Sequence, residues 1–150
     1  MARLEAIRIL LAIASMLDFK LFQMDVNSAF LNRYIKEEVF VEQPPGFQDF
    51  EFSNHVYKLK KALYGLKQAP RSWYERLSQF LIKCEFHRGN VDSTLFFKKS
   101  NKDILFVQIY VDDIVFGSTN LFLCKEFSTN MQQEFEMSMM EELVRPEKFK

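Results

Sequence analysis

The sequence predicts an α+β domain, an antiparallel sheet with helices packed on one face. Three observations carry that reading. Apolar residues recur at three- and four-residue spacings in some segments and alternate with period two in others. Gly and Pro number only 4 each among 150 residues, which leaves short connections between regular elements. The segments then follow one another as helix, strands, helix, hairpin and helix.

The first helix falls within residues 3–18, where Leu4, Ile7, Leu11, Ala14 and Leu17 make one apolar stripe. Lys20 to Val26 reads as a strand with Leu21, Gln23 and Asp25 on one side and Phe22, Met24 and Val26 on the other. A carboxylate near the end of a half-buried strand needs a partner. Glu38 to Gln43 alternates as a second strand and is stopped by Pro44-Pro45-Gly46. Phe47 to Asn54 is polar and aromatic, a loop, and His55 to Lys60 is a further short strand. Pro70 suits the first turn of a helix that carries Trp73, Leu77, Phe80 and Leu81 and ends before Gly89. Strands over Ser93–Lys98 and Asp103–Tyr110 flank the turn Ser100-Asn101-Lys102. The last helix covers Asn120 to Phe135, with Leu121, Cys124, Phe127, Met131 and Phe135 along one side. Met137 to Lys150 is charged and patternless, and residues 141–150 are expected to fray.

Composition bounds the function. A chain of 150 residues with 48% hydrophobic content is one domain with a sizeable core. The 20 basic and 20 acidic side chains cancel, which excludes a disordered polyelectrolyte and a protein that coats nucleic acid by bulk charge, while leaving room for a local basic patch. Cys84 and Cys124 make neither a disulfide framework nor a metal-ligand spacing, so reduced thiols in a reducing compartment are expected. The apolar run from Ile7 to Leu17 is broken by Arg8 and is too short for a bilayer, and no cleavage site follows it. The expectation is a soluble intracellular protein without a membrane partner. His55 and His87 are given no ligand role.

The sharpest local feature is Tyr110-Val111-Asp112-Asp113 between apolar runs. Neighbouring carboxylates diverge in a straight strand but converge in a tight hairpin turn, and a divalent cation relieves their repulsion. Mg²⁺ takes oxygen ligands from one or two carboxylates plus phosphates and water, and Asp25 is the obvious third donor. Such a site could hold two ions about 3.5–4 Å apart. Taken alone, the pair reads equally as an ordinary acidic turn, the commoner case. A second feature lies between Val56 and Arg76, where Lys58, Lys60, Lys61, Lys67, Arg71 and Arg76 face one acid, Glu75, with Tyr57, Tyr64, Trp73 and Tyr74 interleaved. That is the composition of a nucleic-acid groove, or of a solvated face with its aromatics turned to the core.

Three stretches in register carry a resemblance. YVDD with apolar flanks is similar to the catalytic box of reverse transcriptases. Gln23-Met24-Asp25-Val26-Asn27-Ser28-Ala29-Phe30-Leu31-Asn32 resembles the family's first-aspartate motif, and the run from Lys61 to Tyr74 (KALYGLKQAPRSWY) resembles the signature of copia-type retrotransposon polymerases. The similarity runs from Ala2 to Met140. It implies a palm-like antiparallel sheet with part of the fingers over residues 1–140, truncated at both ends, and RNA-directed DNA polymerase chemistry with Mg²⁺, or Mn²⁺, on Asp25, Asp112 and Asp113. Asp112 is implied as the surer metal ligand of the pair. The backbone from Val26 to Ala29 would lie along the incoming triphosphate, Phe30 would exclude a ribose 2′-hydroxyl, and Gln68 would pack beside the nucleotide. Tyr110 and Val111 would lie near the primer terminus.

The implied partners are an RNA or DNA template with its primer, deoxynucleoside triphosphates, and the missing fingers, thumb and ribonuclease H parts of a polyprotein. Lineage implies cytoplasmic particles, with the nucleus as the alternative. Asn27 and Arg33 depart from the basic residue and the glycine usual in the family. Because alignment of primer and nucleotide carries much of such catalysis, the chain alone is expected to extend primers feebly or not at all. The alternatives are a non-catalytic remnant that binds nucleic acid through the basic-aromatic patch, and a packing protein with no ligand.

Overall fold

The computed structural model describes residues 4–27, 29, 37–61, 67, 69–138 and 140–143. Its elements are α1 (Leu4–Met16), β1 (Lys20–Asp25), β2 (Phe40–Val41), β3 (Tyr57–Lys58), α2 (Ala69–Lys83), β4 (His87–Arg88), β5 (Leu95–Ser100), β6 (Asp103–Tyr110), β7 (Asp113–Ser118), α3 (Leu121–Glu134) and β8 (Glu141–Glu142). They fall into two compact units, one of residues 1–29 and 77–150, the other of residues 30–76. No helix among the described residues is long and apolar enough to cross a membrane.

The first unit is a six-stranded sheet in the order β4-β5-β6-β7-β1-β8, with every neighbouring pair antiparallel. β1 and β7 pair along their whole length, from Lys20↔Ser118 to Asp25↔Asp113. Gly117 makes that approach possible: a Cβ there would stand 2.7 Å from the Lys20 carbonyl oxygen and 2.7 Å from Leu21 Cδ2. β6 and β7 form a hairpin whose last pair is Tyr110↔Asp113, which leaves Val111 and Asp112 as its two turn residues.

The helices cover both faces of this sheet, not the single face expected from the sequence. Leu10, Ala14 and Ile13 of α1 pack on Phe19, Leu21, Val115 and Phe106. Phe116, next to Val115 and therefore on the opposite face, meets Phe127 of α3 at 4.9 Å between ring centroids and Phe22 at 5.9 Å. Strands that bury Leu21 and Phe22, or Val115 and Phe116, leave two apolar faces to cover, and α1 packs on one and α3 on the other. The stripe of α1 is also rotated from the expected one: Leu10, Ile13 and Ala14 face the sheet, whereas Leu11 and Leu17 are exposed.

α3 begins at Asn120, whose side-chain oxygen accepts the Phe122 N–H at 3.0 Å, and ends at Phe135, whose N–H reaches the Met131 carbonyl at 2.9 Å. Beyond it, Glu141 and Glu142 pair with Gln23 and Phe22 as β8, where the sequence reads as a fraying tail. Two glutamates on an exposed sheet edge carry no apolar period, so the pairing left no trace in the pattern. The rest of the predicted tail, residues 144–150, lies outside the described residues.

In the second unit, β2 and β3 pair as Phe40↔Lys58 and Val41↔Tyr57, with a further bond from the Leu59 N–H to the Val39 carbonyl at 2.8 Å. The longer strands expected over Glu38–Gln43 and His55–Lys60 are cut short because Gln43 turns its side chain to the connecting loop. Its Nε2 donates to the carbonyls of Phe52 (2.8 Å) and His55 (2.9 Å), and its Oε1 accepts the Asp49 N–H at 2.6 Å.

Candidate active site

Asp25 closes β1 and Asp113 opens β7, and the register sets them directly opposite each other. Facing residues of an antiparallel pair bring their Cβ atoms to about 4.5–5.5 Å, and the two carboxyls meet. The hydrogen bond Asp113 shares with Asp25, then burial, then the charges of Asp25 and Asp112 push its carboxyl up to about 6. Gln23, two residues before Asp25 on the same side of β1, donates from Nε2 to Asp113 Oδ1 at 3.4 Å and opposes that shift.

Asp112 sits in the turn, and its carbonyl accepts the Val26 N–H at 3.0 Å. Its carboxylate reaches Asp113 through charge. The resemblance implies Asp112 as the surer ligand of the pair; the register brings Asp113 against Asp25, because a two-residue turn makes Asp113 the first ladder position. Among the described residues no group of three or more His, Cys, Asp or Glu side chains is arranged to hold a metal ion. The two carboxyls set opposite each other are oxygen donors of the kind Mg²⁺ prefers.

The turn itself is strained. Val111 has φ 53, a left-handed value that the first central residue of such a turn requires and that glycine normally supplies. A β-branched residue there costs on the order of 1–3 kcal/mol, sustained by the surrounding ladder. Tyr110 and Val111 are both exposed, at 40% and 39%.

Val26 is buried and its N–H is engaged by Asp112, while the Asn27 N–H is engaged by the Glu136 carbonyl at 2.8 Å. These two bonds hold the start of the backbone stretch that the resemblance lays along the triphosphate. Phe30 and Gln68 lie outside the described residues.

In the second unit Lys58, Lys60, Lys61, Lys67 and Arg71 are all exposed. The patch is less uniform than its local sequence suggests. Lys58 forms an ion pair with Glu38 and lies 6.0 Å from the centre of the Phe40 ring, and Arg71 Nε lies 3.4 Å from Glu75 Oε1. Tyr57 is exposed, but Trp73 is buried and offers no stacking face.

Residues 1–145 match the family model described as reverse transcriptase (RNA-dependent DNA polymerase). The chain belongs to the reverse transcriptase family. It is similar to the retrovirus-related Pol polyproteins from transposons RE1 and RE2 of Arabidopsis thaliana, at 41% and 38% identity over 138 residues, 92% of this chain in both cases. It is 34% identical over 136 residues, 90% of its length, to the retrovirus-related Pol polyprotein from transposon TNT 1-94 of Nicotiana tabacum. The chain spans 9%, 10% and 10% of the length of these three relatives. No solved structure matches. These relatives agree with the copia-type resemblance of the three motifs.

Two residues of this reverse transcriptase segment were given no role by the sequence reading. Gln23 carried a usable signal, since period two puts it on the side of Asp25. Ser138 carried none: it stands in a stretch without pattern, yet its Oγ accepts the Asp25 N–H at 2.9 Å and its own N–H donates to the Asp25 carbonyl at 3.0 Å.

Proposed function

We propose that this chain is the palm, with part of the fingers, of an RNA-directed DNA polymerase, and that Asp25, Asp112 and Asp113 are its metal-binding carboxylates. The observation that carries the reading is the register that sets Asp25 against Asp113 at the mouth of a two-residue turn holding Asp112. Bound there, Mg²⁺ or Mn²⁺ would activate the primer hydroxyl and steady the pyrophosphate leaving group. The chain's own share is placement. The β1–β7 ladder holds two carboxyls in contact, Gln23 orients Asp113, and the exposed Tyr110 and Val111 offer a surface to the primer end. Phe30 and Gln68 are assigned to the nucleotide by resemblance. The exposed Lys60, Lys61 and Lys67, with Lys58 and Arg71 and their acidic partners, would bind template and primer phosphates.

Because the chain spans about a tenth of its relatives, activity is proposed for it together with further Pol segments, in cytoplasmic particles. Primer extension with Mg²⁺ or Mn²⁺, comparing the chain joined to those segments with its Asp25→Ala and Asp112→Asn variants, tests the reading. Extension abolished by either substitution is expected; extension that survives both overturns it. A second reading, a remnant that binds nucleic acid without catalysis, is favoured by the exposure of the lysines. It is distinguished by salt-sensitive primer–template binding without any aspartate-dependent extension.

A further inference from the structure

The last residue of β1 has two sides. Towards β7, Asp25 pairs with Asp113 and the next residue, Val26, bonds to Asp112. Towards the outer edge, β8 pairs only with Phe22 and Gln23, and the ladder stops two residues short of Asp25. It resumes at Val26↔Met137 and at the bond from the Asn27 N–H to the Glu136 carbonyl. Between Gln23↔Glu141 and Val26↔Met137 the register shifts by one residue, as it does across a β-bulge. A bulge removes a carbonyl from the place where a ladder partner would stand. At that place Ser138 Oγ accepts the Asp25 N–H, while the Ser138 N–H serves the Asp25 carbonyl.

We infer that Ser138 is a positioning residue for Asp25: its hydroxyl oxygen replaces the ladder carbonyl lost at the bulge and fixes the backbone on which the carboxylate stands. This rests on the reading of Asp25 as a metal-binding carboxylate. Ser138 is itself held from behind. Gln132 of α3 donates from Nε2 to its carbonyl at 3.4 Å, and Phe135, between α3 and this segment, is buried with its ring 5.3 Å from that of Phe80. Bulges recur beside active sites because they re-aim a side chain, and groups that orient a metal ligand affect affinity without touching the metal.

The test is Mn²⁺ binding to the whole chain, read from the electron paramagnetic resonance of free Mn²⁺, with amide hydrogen exchange on the same samples. Wild type is expected to bind in a manner that Asp25→Ala removes. Ser138→Ala should weaken binding about tenfold, the lower end of losses on removing an outer-shell partner, and Ser138→Thr should stay close to wild type. The Asp25 amide should exchange faster in Ser138→Ala while the Val26 amide keeps its protection. Phe127→Leu, a core change on α3, should lower stability and leave Mn²⁺ affinity unchanged.

Should Ser138→Ala not fold, Ser138→Thr is compared with Ser138→Val, which differ by one oxygen. Loss of fold in both Ala and Val variants marks Ser138 as structural and overturns the inference. Aspartate-dependent binding that Ser138→Ala leaves intact overturns this inference alone. No Asp25-dependent binding by the wild type overturns the metal reading and this inference with it.

Discussion

The two units hold their candidate site residues in opposite ways. In the sheet unit Asp25 and Asp113 are fixed by a continuous backbone ladder above a core in which Phe116 is 0% exposed. In the hairpin unit β2 and β3 pair over two residues each, Phe47 and Phe50 are 80% and 101% exposed, and the side chains of Gln43 and Asp49 tie the loop together. Metal chemistry tolerates little displacement of its ligands, so the proposed role of Asp25 and Asp113 asks for a packed ladder. Phosphate attraction is long-ranged and forgiving, so the proposed role of the lysines asks less of a lightly held hairpin.

Four measurements break or sharpen that contrast. Phe116→Ala should cost about 3–5 kcal/mol of unfolding free energy, whereas Phe50→Ala should stay within about 0.5 kcal/mol in the same denaturant titration. Equal losses would erase the distinction. Gly117→Ala comes next, at about 1–3 kcal/mol, because its methyl meets the Lys20 carbonyl at 2.7 Å, backbone that cannot step aside. The same variant should disturb the Asp25–Asp113 contact, visible in their carboxyl carbon resonances.

Gln43→Ala should cost about 1 kcal/mol and speed proteolysis between Pro44 and His55. The amide exchange of β6 and β7 should be unchanged, and a slowing or speeding of it would show the units to be energetically one. The smallest effect concerns pH. The Asp113 carboxyl is held up at about 6 against an ordinary 3.8, so without metal the folded state binds the proton more tightly than the unfolded. Its contribution to stability is full below about 3.8 and is lost as pH rises through about 6. The stability difference between wild type and Asp113→Asn should decline across that window, and by a modest amount because the group is in part solvated. A flat difference curve would mean that the proton is not shared. Added Mg²⁺ should cancel the decline, since the cation favours the ionised pair.

Most elements were legible because their causes are local. The period of Trp73, Leu77 and Leu81 is that of α2, Asn120 is a side-chain cap at the start of α3, and the alternation of Leu21 to Val26 is that of β1. The acidic residues of the site were legible too, since Asp112 and Asp113 stand in an apolar setting where charge is costly. What lay beyond reach is β4 and β8, two-residue strands that exist because of a neighbour, and the second covered face of the sheet.

By itself, then, the sequence determined the helices and the longer strands of the sheet, the family they belong to and which carboxylates are the candidates. Tertiary structure alone decided which of two adjacent aspartates faces Asp25, and that a serine 113 residues away completes its backbone bonding. Period and propensity are written within a few residues, whereas register is settled by distant partners: the close approach at Gly117, the length of a turn, and one extra residue in a bulge.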